Sequence, residues 1–220
     1  MVRAKSQAGV TLIDDLVLAS SNEGKLLEFQ SLLAPYGLRL WSQRELGIEA
    51  PAEPHASFLE NALTKARAAS RRTGRAALAD DSGICIALLK DQPGVLSARW
   101  AELHGGSHHD DANNKLVNQQ LNGQISAAYF ICVLVLLRWP EDPVPLIAEG
   151  RWHGRWLSEA RGEAGFGYDP HFLPDGQLLT AAEMPMAQKN SMSHRALAIN
   201  RLIKQMLDLG LIVTHESAGN

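Results

Sequence analysis

The sequence predicts an α/β fold. Short apolar runs of strand character alternate with segments of helical period along most of the chain. The composition, 45% hydrophobic and 20% charged over 220 residues, suits a folded domain with a sizeable core rather than a disordered polymer. No internal repeat, low-complexity tract or clean linker divides the chain. Residues 1–15 read as a flexible N-terminal tail, with a true start further in an open alternative. Residues 16–209 read as one domain, and residues 210–220 as a C-terminal tail.

Taken in order, Leu16–Ala19 is a buried first strand. It runs into Ser20-Ser21-Asn22-Glu23-Gly24-Lys25 and then a helix, whose Leu26, Leu27, Phe29, Leu32 and Leu33 follow a 3.6-residue period until Pro35 and Gly37. Residues 48–56, with two prolines and no periodicity, read as a loop. Ser57 and Glu60 have capping-box spacing ahead of an alanine-rich helix from Phe58 to about Arg72, with Gly74 as its stop. Ala77–Ala79 and Ile84–Leu89 read as two strands around a turn at Asp80-Asp81-Ser82-Gly83, with another turn at Pro93-Gly94. A polar loop over residues 104–114 leads into a helix near Ala112–Leu121. Ala127–Leu137 and a segment around Leu146–Leu157 read as strands, glycines 162, 165 and 167 as a flexible loop, and Ser193–Leu209 as the last helix.

Charge and cysteine usage exclude several functions. The 21 Lys and Arg against 24 Asp and Glu leave a formal charge of −3, so no global basic surface draws the chain onto nucleic acid. The most apolar stretch, Tyr129–Leu137, is far short of the ~20 residues of a membrane-spanning helix, and no apolar signal core follows the basic N-terminus. Cys85 and Cys132 each lie in apolar runs without a metal-spaced partner, which reads as reduced core cysteines in a cytoplasmic protein. No G-x-S-x-G elbow is present, and neither cysteine has a partner base.

Three segments carry chemistry. The Ser20–Lys25 turn joins a buried strand to a helix N-terminus, where unpaired amides and Lys25 suit a phosphate; an ordinary N-cap at Asn22 or Ser21 is the alternative. It is no Walker A loop, because position 19 is Ala and position 26 is Leu. The acidic pair Asp80-Asp81 suits a hard divalent cation shared with substrate phosphates, or simply a turn. The third group is Gly165-Phe166-Gly167-Tyr168-Asp169 with Lys189 and Ser193-His194-Arg195. There an aromatic ring can stack on a base and the cations can meet phosphate or carbonyl oxygens. His104, His108 and His109 lack a helical frame that would aim them at one metal and read as a solvated loop.

LASSNEGKLLEF, SFLENALTKA, ALADDSGICI, PGVLSARWA, FICVLVLL, GFGYDP and SMSHRALA together, in this order, resemble the inosine/xanthosine triphosphate (dITP/XTP) pyrophosphatases over roughly residues 16 to 208. The resemblance implies an elongated, mixed, twisted sheet flanked by helices, with two lobes, a central nucleotide-binding cleft and a homodimer. It implies Mg²⁺-dependent hydrolysis of dITP, ITP or XTP to the monophosphate and pyrophosphate, removing deaminated purines from the nucleotide pool. Carried onto this sequence, Ser20, Ser21, Asn22, Glu23, Gly24 and Lys25 would bind phosphate, with Ser20 where the family usually has Thr. Asp81 would be general base and metal ligand, Glu53 the second metal carboxylate, and Ser82 a substrate contact. Phe166, Gly167, Tyr168, Asp169, Lys189, His194 and Arg195 would hold the base and sugar.

Selectivity would follow from donors aimed at the 6-keto oxygen, left unpaired by adenine. A related septum-inhibitor-like family of pyrimidine or modified-nucleotide pyrophosphatases shares the first strand and loop. Its P-R-R motif is replaced here by Asn22-Glu23-Gly24-Lys25. A non-catalytic nucleotide sensor is the rival from another class, and retention of Lys25 and Asp81 argues against it.

Overall fold

The computed structural model describes residues 12–20 and 22–213. Seven strands form one mixed sheet: β1 (Asp15–Leu18), β2 (Arg39–Ser42), β3 (Ala77–Ile86), β4 (Gln92–Pro93), β5 (Ser126–Leu137), β6 (Leu146–Trp156) and β7 (Phe172–Pro174). The order is β2-β1-β3-β5-β6-β7, with β4 added to β3. β1 pairs in parallel with β2 and β3, whereas β4 on β3 and β7 on β6 are antiparallel. The helices are α1 (Glu23–Leu33), α2 (Phe58–Thr73), α3 (Asp110–Leu121), α4 (Met186–Met192) and α5 (His194–Asp208). Among the described residues no helix is long and apolar enough to cross a membrane.

The chain forms two compact units, the first from residues 1–81, 133–149 and 198–220, the second from residues 82–132 and 150–197. In the first unit α2 carries Ala62, Ala66 and Ala69 on one stripe, packed with Val17, Ala19, Ala77, Ala79, Val135 and Leu137. Small side chains on both surfaces let helix and sheet approach closely. Ser57 caps α2 by accepting the Glu60 N–H at 3.3 Å, and Gly74 at φ +66° ends it. In the second unit the core is aromatic: Trp100, Phe130, Trp152, Trp156, Tyr168 and Phe172 pack with Ile84, Ile86 and Val117.

Several expectations are corrected. Asp80-Asp81-Ser82-Gly83 is no turn; β3 runs through it without a break. Its buried acids are matched by lysines, and its glycine is demanded by close packing: a Cβ at Gly83 would lie 2.3 Å from Gly94 O and 2.4 Å from Ser97 Oγ. Residues 87–89 form a short 3-10 helix rather than the end of a strand, and Pro93 pairs with Cys85 before a 3-10 stretch from Gly94 to Arg99. The last helix stands as α5, His194–Asp208, and a further short helix, α4, precedes it across Ser193, which takes an extended conformation. Strands β2 and β7 are short and carried no alternating signal. Residues 1–11 and 214–220 of the expected tails lie outside the described residues. Within the remainder, Asp15 opens β1, Ile13 N–H donates to Leu211 O at 2.7 Å, and Leu211 and Ile212 are buried, so the tail boundaries lie further out.

At the end of β6 a histidine closes the second unit's core. His171 Nδ1–H donates to Leu157 O at 2.7 Å while Leu157 N–H donates to His171 O at 2.8 Å. The His171 ring stacks on Trp156 with centroids 4.6 Å apart, and the Trp156 indole N–H donates to Asn118 Oδ1 at 2.8 Å. Burial lowers the His171 pKa below its ordinary 6.5, against the opposing effect of the Leu157 carbonyl. The unfolded chain therefore binds this proton more readily, so stability is intact above about pH 6.5 and falls as pH drops below it. Denaturant midpoints measured from pH 8 to pH 5 should fall less steeply for His171→Gln than for the parent; parallel curves would remove His171 from the acid response.

Candidate functional site

In the first unit the chemistry gathers on Asp81. Its Oδ1 accepts from Lys65 Nζ at 2.9 Å and its Oδ2 from Asn61 Nδ2 at 3.3 Å. Asn61 and Lys65 are four residues apart on α2, so one helical face delivers both donors to one carboxylate. Lys65 Nζ also touches Glu53 Oε1 at 3.2 Å, which brings the loop acid onto the same ammonium. Asn61 fixes that loop: its Oδ1 accepts the His55 N–H at 3.1 Å and its Nδ2 donates to His55 O at 3.2 Å. His55 Nε2 reaches Thr64 Oγ1 at 3.0 Å, a second tie between loop and helix.

The neighbouring acid takes a different lysine. Lys25 Nζ lies 2.7 Å from Asp80 Oδ2, with Asp80 only 1% exposed. Three carboxylates (Glu53, Asp80, Asp81) thus surround two ammoniums (Lys25, Lys65), and the surplus is negative. Burial pushes the Asp81 carboxyl above the usual carboxylate range; the Lys65 and Lys25 charges pull it back, and Glu53 adds to the rise. Burial works to lower the Lys65 pKa, but the fields of Asp80, Asp81 and Glu53 outweigh it and raise it. The two shifts share a direction but not a cause: burial raises Asp81, whereas the surrounding carboxylates raise Lys65.

The Ser20–Lys25 turn is an N-cap that also places a lysine. Asn22 Oδ1 accepts the Lys25 N–H at 3.0 Å, and Ser20 Oγ accepts the Asn22 N–H at 3.3 Å. Glu23 instead points to Arg44 in an exposed pair, and Gly24 follows in the first turn of α1. Ser21 lies outside the described residues.

In the second unit Asp169 is the hub. Its Oδ2 accepts the Phe166 N–H at 3.0 Å and Lys189 Nζ at 2.7 Å, with Asp169 and Lys189 both 3% exposed. The Asp169 N–H returns to Phe166 O at 3.4 Å, closing a turn in which Gly167 takes φ +64° and Tyr168 φ −91°. Gly165 is required twice over, by φ +79° and because a Cβ would lie 2.2 Å from Asp169 Oδ2. The Tyr168 hydroxyl donates to Ser97 O at 2.7 Å, which holds its ring inward. Phe166 remains only partly buried, with Lys189 Nζ and Arg195 Cζ each 5.1 Å from its ring centroid. Arg195 also donates to Ser82 Oγ at 3.3 Å. The second unit therefore brings together Ser82, Phe166, Asp169, Lys189 and Arg195. His194 is 2% exposed and stacks on Phe130 at 4.9 Å and an interplanar angle of 13°.

Asn61 and Lys65 escaped the sequence reading of the site, which had singled out Asp80 only as the neighbour of Asp81. The available signal was the four-residue spacing in Asn61-Ala-Leu-Thr-Lys65, a polar stripe beside an alanine stripe. The three histidines do not converge. His104 bonds Trp100 O, His108 pairs with exposed Glu102, and His109 precedes α3; among the described residues no three or more His, Cys, Asp or Glu side chains form a group that could hold a metal ion.

Residues 16–205 match the model of the Ham1 family. A dITP/XTP pyrophosphatase of Ralstonia nicotianae is 53% identical over 192 residues, which cover 87% of this chain and 96% of the relative. A dITP/XTP pyrophosphatase of Bordetella parapertussis is 50% identical over 196 residues, covering 89% and 92%. A solved HAM1 protein from Coxiella burnetii superimposes with a TM-score of 0.80 at 39% identity, over 88% of this chain and 98% of that one. With nearly the whole of its length matched, the chain belongs to the Ham1 family.

Proposed function

We propose that this protein hydrolyses dITP, ITP and XTP to the nucleoside monophosphate and pyrophosphate, as the names of its relatives suggest. The observation that carries the reading is the set of groups meeting at Asp81: a buried carboxylate with a raised pKa, flanked by Lys65, Glu53 and Asn61. A raised pKa makes a carboxylate a better proton acceptor near neutrality. Asp81 takes a proton from the attacking water as its oxygen bonds to the α-phosphorus. The bridge to the β-phosphorus then breaks, and pyrophosphate leaves with the bonding electrons. Lys25 and Lys65 offset phosphate charge, and the capped N-terminus of α1 adds its amides.

Mg²⁺ is the metal in this proposal. Glu53 and Asp81 already share one cation at Lys65 Nζ, and their hard oxygens and the negative surplus fit a divalent ion. Bound there by Asp81 and Glu53, it would neutralise phosphate oxygens and lower the pKa of a ligated water. The base end belongs to the second unit: Phe166 offers a ring face for stacking, with Lys189, Arg195 and Ser82 beside it. Tyr168 and Asp169 act from beneath by holding the turn, and His194 supports through its stack rather than by an exposed edge. A cytoplasmic homodimer belongs to the same proposal, and the buried Cys85 and Cys132, neither in a disulfide, suit a reducing compartment.

Asp81→Asn keeps the side-chain volume and leaves Glu53 as the counter-ion of Lys65; it should lower kcat by at least about 100-fold per folded molecule, with the folded fraction read from thermal unfolding. Pyrophosphate release from ITP with Mg²⁺ measures it, and an active Asn variant would remove Asp81 as base. A parent that binds ITP without releasing pyrophosphate would establish the sensor reading instead. Lys65→Met leaves Asp81 and Glu53 without their shared cation and should cost about 3–5 kcal/mol of stability, read from denaturant unfolding. A loss below about 1 kcal/mol would show that the pair contributes little. Arg195→Ala should narrow the ratio of ITP to ATP turnover; an unchanged ratio would place base reading elsewhere.

A further inference from the structure

The glycine-rich turn that presents Phe166 is held from outside itself, by α3. Asp110 Oδ2 accepts the Gly167 N–H at 2.7 Å, and Asn114 Nδ2 donates to Gly167 O at 3.0 Å. The two side chains are four residues apart on the first turns of α3, so a single helical face grips both peptide groups of one glycine. The Phe166 N–H is bound by Asp169, so three hydrogen bonds fix the backbone on both sides of the aromatic residue. Gly162, Gly165 and Gly167 all take positive φ, and unrestrained glycines there would sample many backbone states. Asp110 is exposed and Asn114 is 7% exposed, so one half of the grip lies at the surface and the other is shielded from competing water.

We propose that Asp110 and Asn114 are positioning residues for base selection, setting the Phe166 ring against Lys189 and Arg195 before the nucleotide arrives. Neither side chain needs to touch substrate. Their contribution is preorganisation: the bound conformation of the turn is prepared in advance, so binding does not have to order it. The inference rests on the reading of Phe166 as the base platform.

Two near-isosteric changes separate the proposal from a structural role. Asn114→Asp keeps the volume but replaces the donor with an oxygen facing Gly167 O. It should raise KM for ITP about tenfold, with kcat within about threefold, and reduce the ITP to ATP ratio of kcat/KM. Asp110→Ala should do the same, whereas Asp110→Asn, which retains an acceptor for the Gly167 N–H, should recover most of that loss. Should Asn114→Asp fail to fold, the exposed Asp110 variants carry the test. Phe166→Ala, assayed alongside, tells the two readings apart. If it raises KM while Asp110→Ala leaves KM and the ratio unchanged, the grip of α3 is irrelevant to selection. If Phe166→Ala itself leaves KM unchanged, the base platform and the proposal fall together.

Discussion

The first unit is organised by the need to neutralise two adjacent carboxylates in the middle of a strand. Consecutive residues of β3 face opposite ways, so Asp80 and Asp81 cannot share one counter-ion through one geometry. Each is met from a different helix, Asp80 by Lys25 of α1 and Asp81 by Lys65 of α2. Lys65 reaches Asp81 because α2 packs through alanines; a stripe of Leu or Phe at positions 62, 66 and 69 would hold the helix further off. The alanine stripe and the Lys65–Asp81 contact are one requirement. The negative surplus left by three acids and two lysines suits a group that has to accept a proton and a site that receives a cation with its phosphates.

The second unit repeats the device with a different aim. Asp169 is again a buried carboxylate satisfied by a buried lysine, but its second partner is a backbone N–H, so the charge serves to shape a turn. Gly165 leaves room for that carboxylate, and Tyr168 anchors the turn to Ser97 O. What is left outward is the Phe166 ring with two cations beside it. In one unit the buried acid is tuned chemically; in the other it is structural.

The alternation of elements was legible in the sequence because it rests on local patterns. The α2 cap box, the Gly74 stop and the apolar runs of β5 and β6 each depend on a few neighbouring residues, and each appears within a residue or two of its expected bounds. The tetrad at 80–83 misled because Asp, Ser and Gly are turn formers when nothing else is bound to them. Lys25, Lys65 and Ser97 come from 55, 16 and 13 residues away in sequence, and they override that preference. Lys65 was hidden for the complementary reason: a lysine in an alanine-rich helix usually faces solvent, and only the acid opposite it makes burial tolerable. The short helix α4, which carries Lys189, is seven residues long with Pro185 ahead of it, too little for a period to show.

Gly83 explains how β3 can carry the Asp80-Asp81 pair and, next to it, a serine held by Arg195. Ser97 Oγ accepts the Ile84 N–H at 3.0 Å and donates to Gly94 O at 2.6 Å, so the 94–97 turn is laid directly against the strand at position 83. Any side chain there would push against backbone and hydroxyl at under 2.5 Å, a clash that rotamer change cannot relieve. The same Ser97 accepts the Tyr168 hydroxyl through its carbonyl, so one residue ties the strand just beyond Ser82 to the turn that presents Phe166. Ser82, held by Arg195, is therefore fixed from two directions. A missing side chain at one strand position thus lets the 94–97 turn lie against β3 and tie it to the turn that presents Phe166.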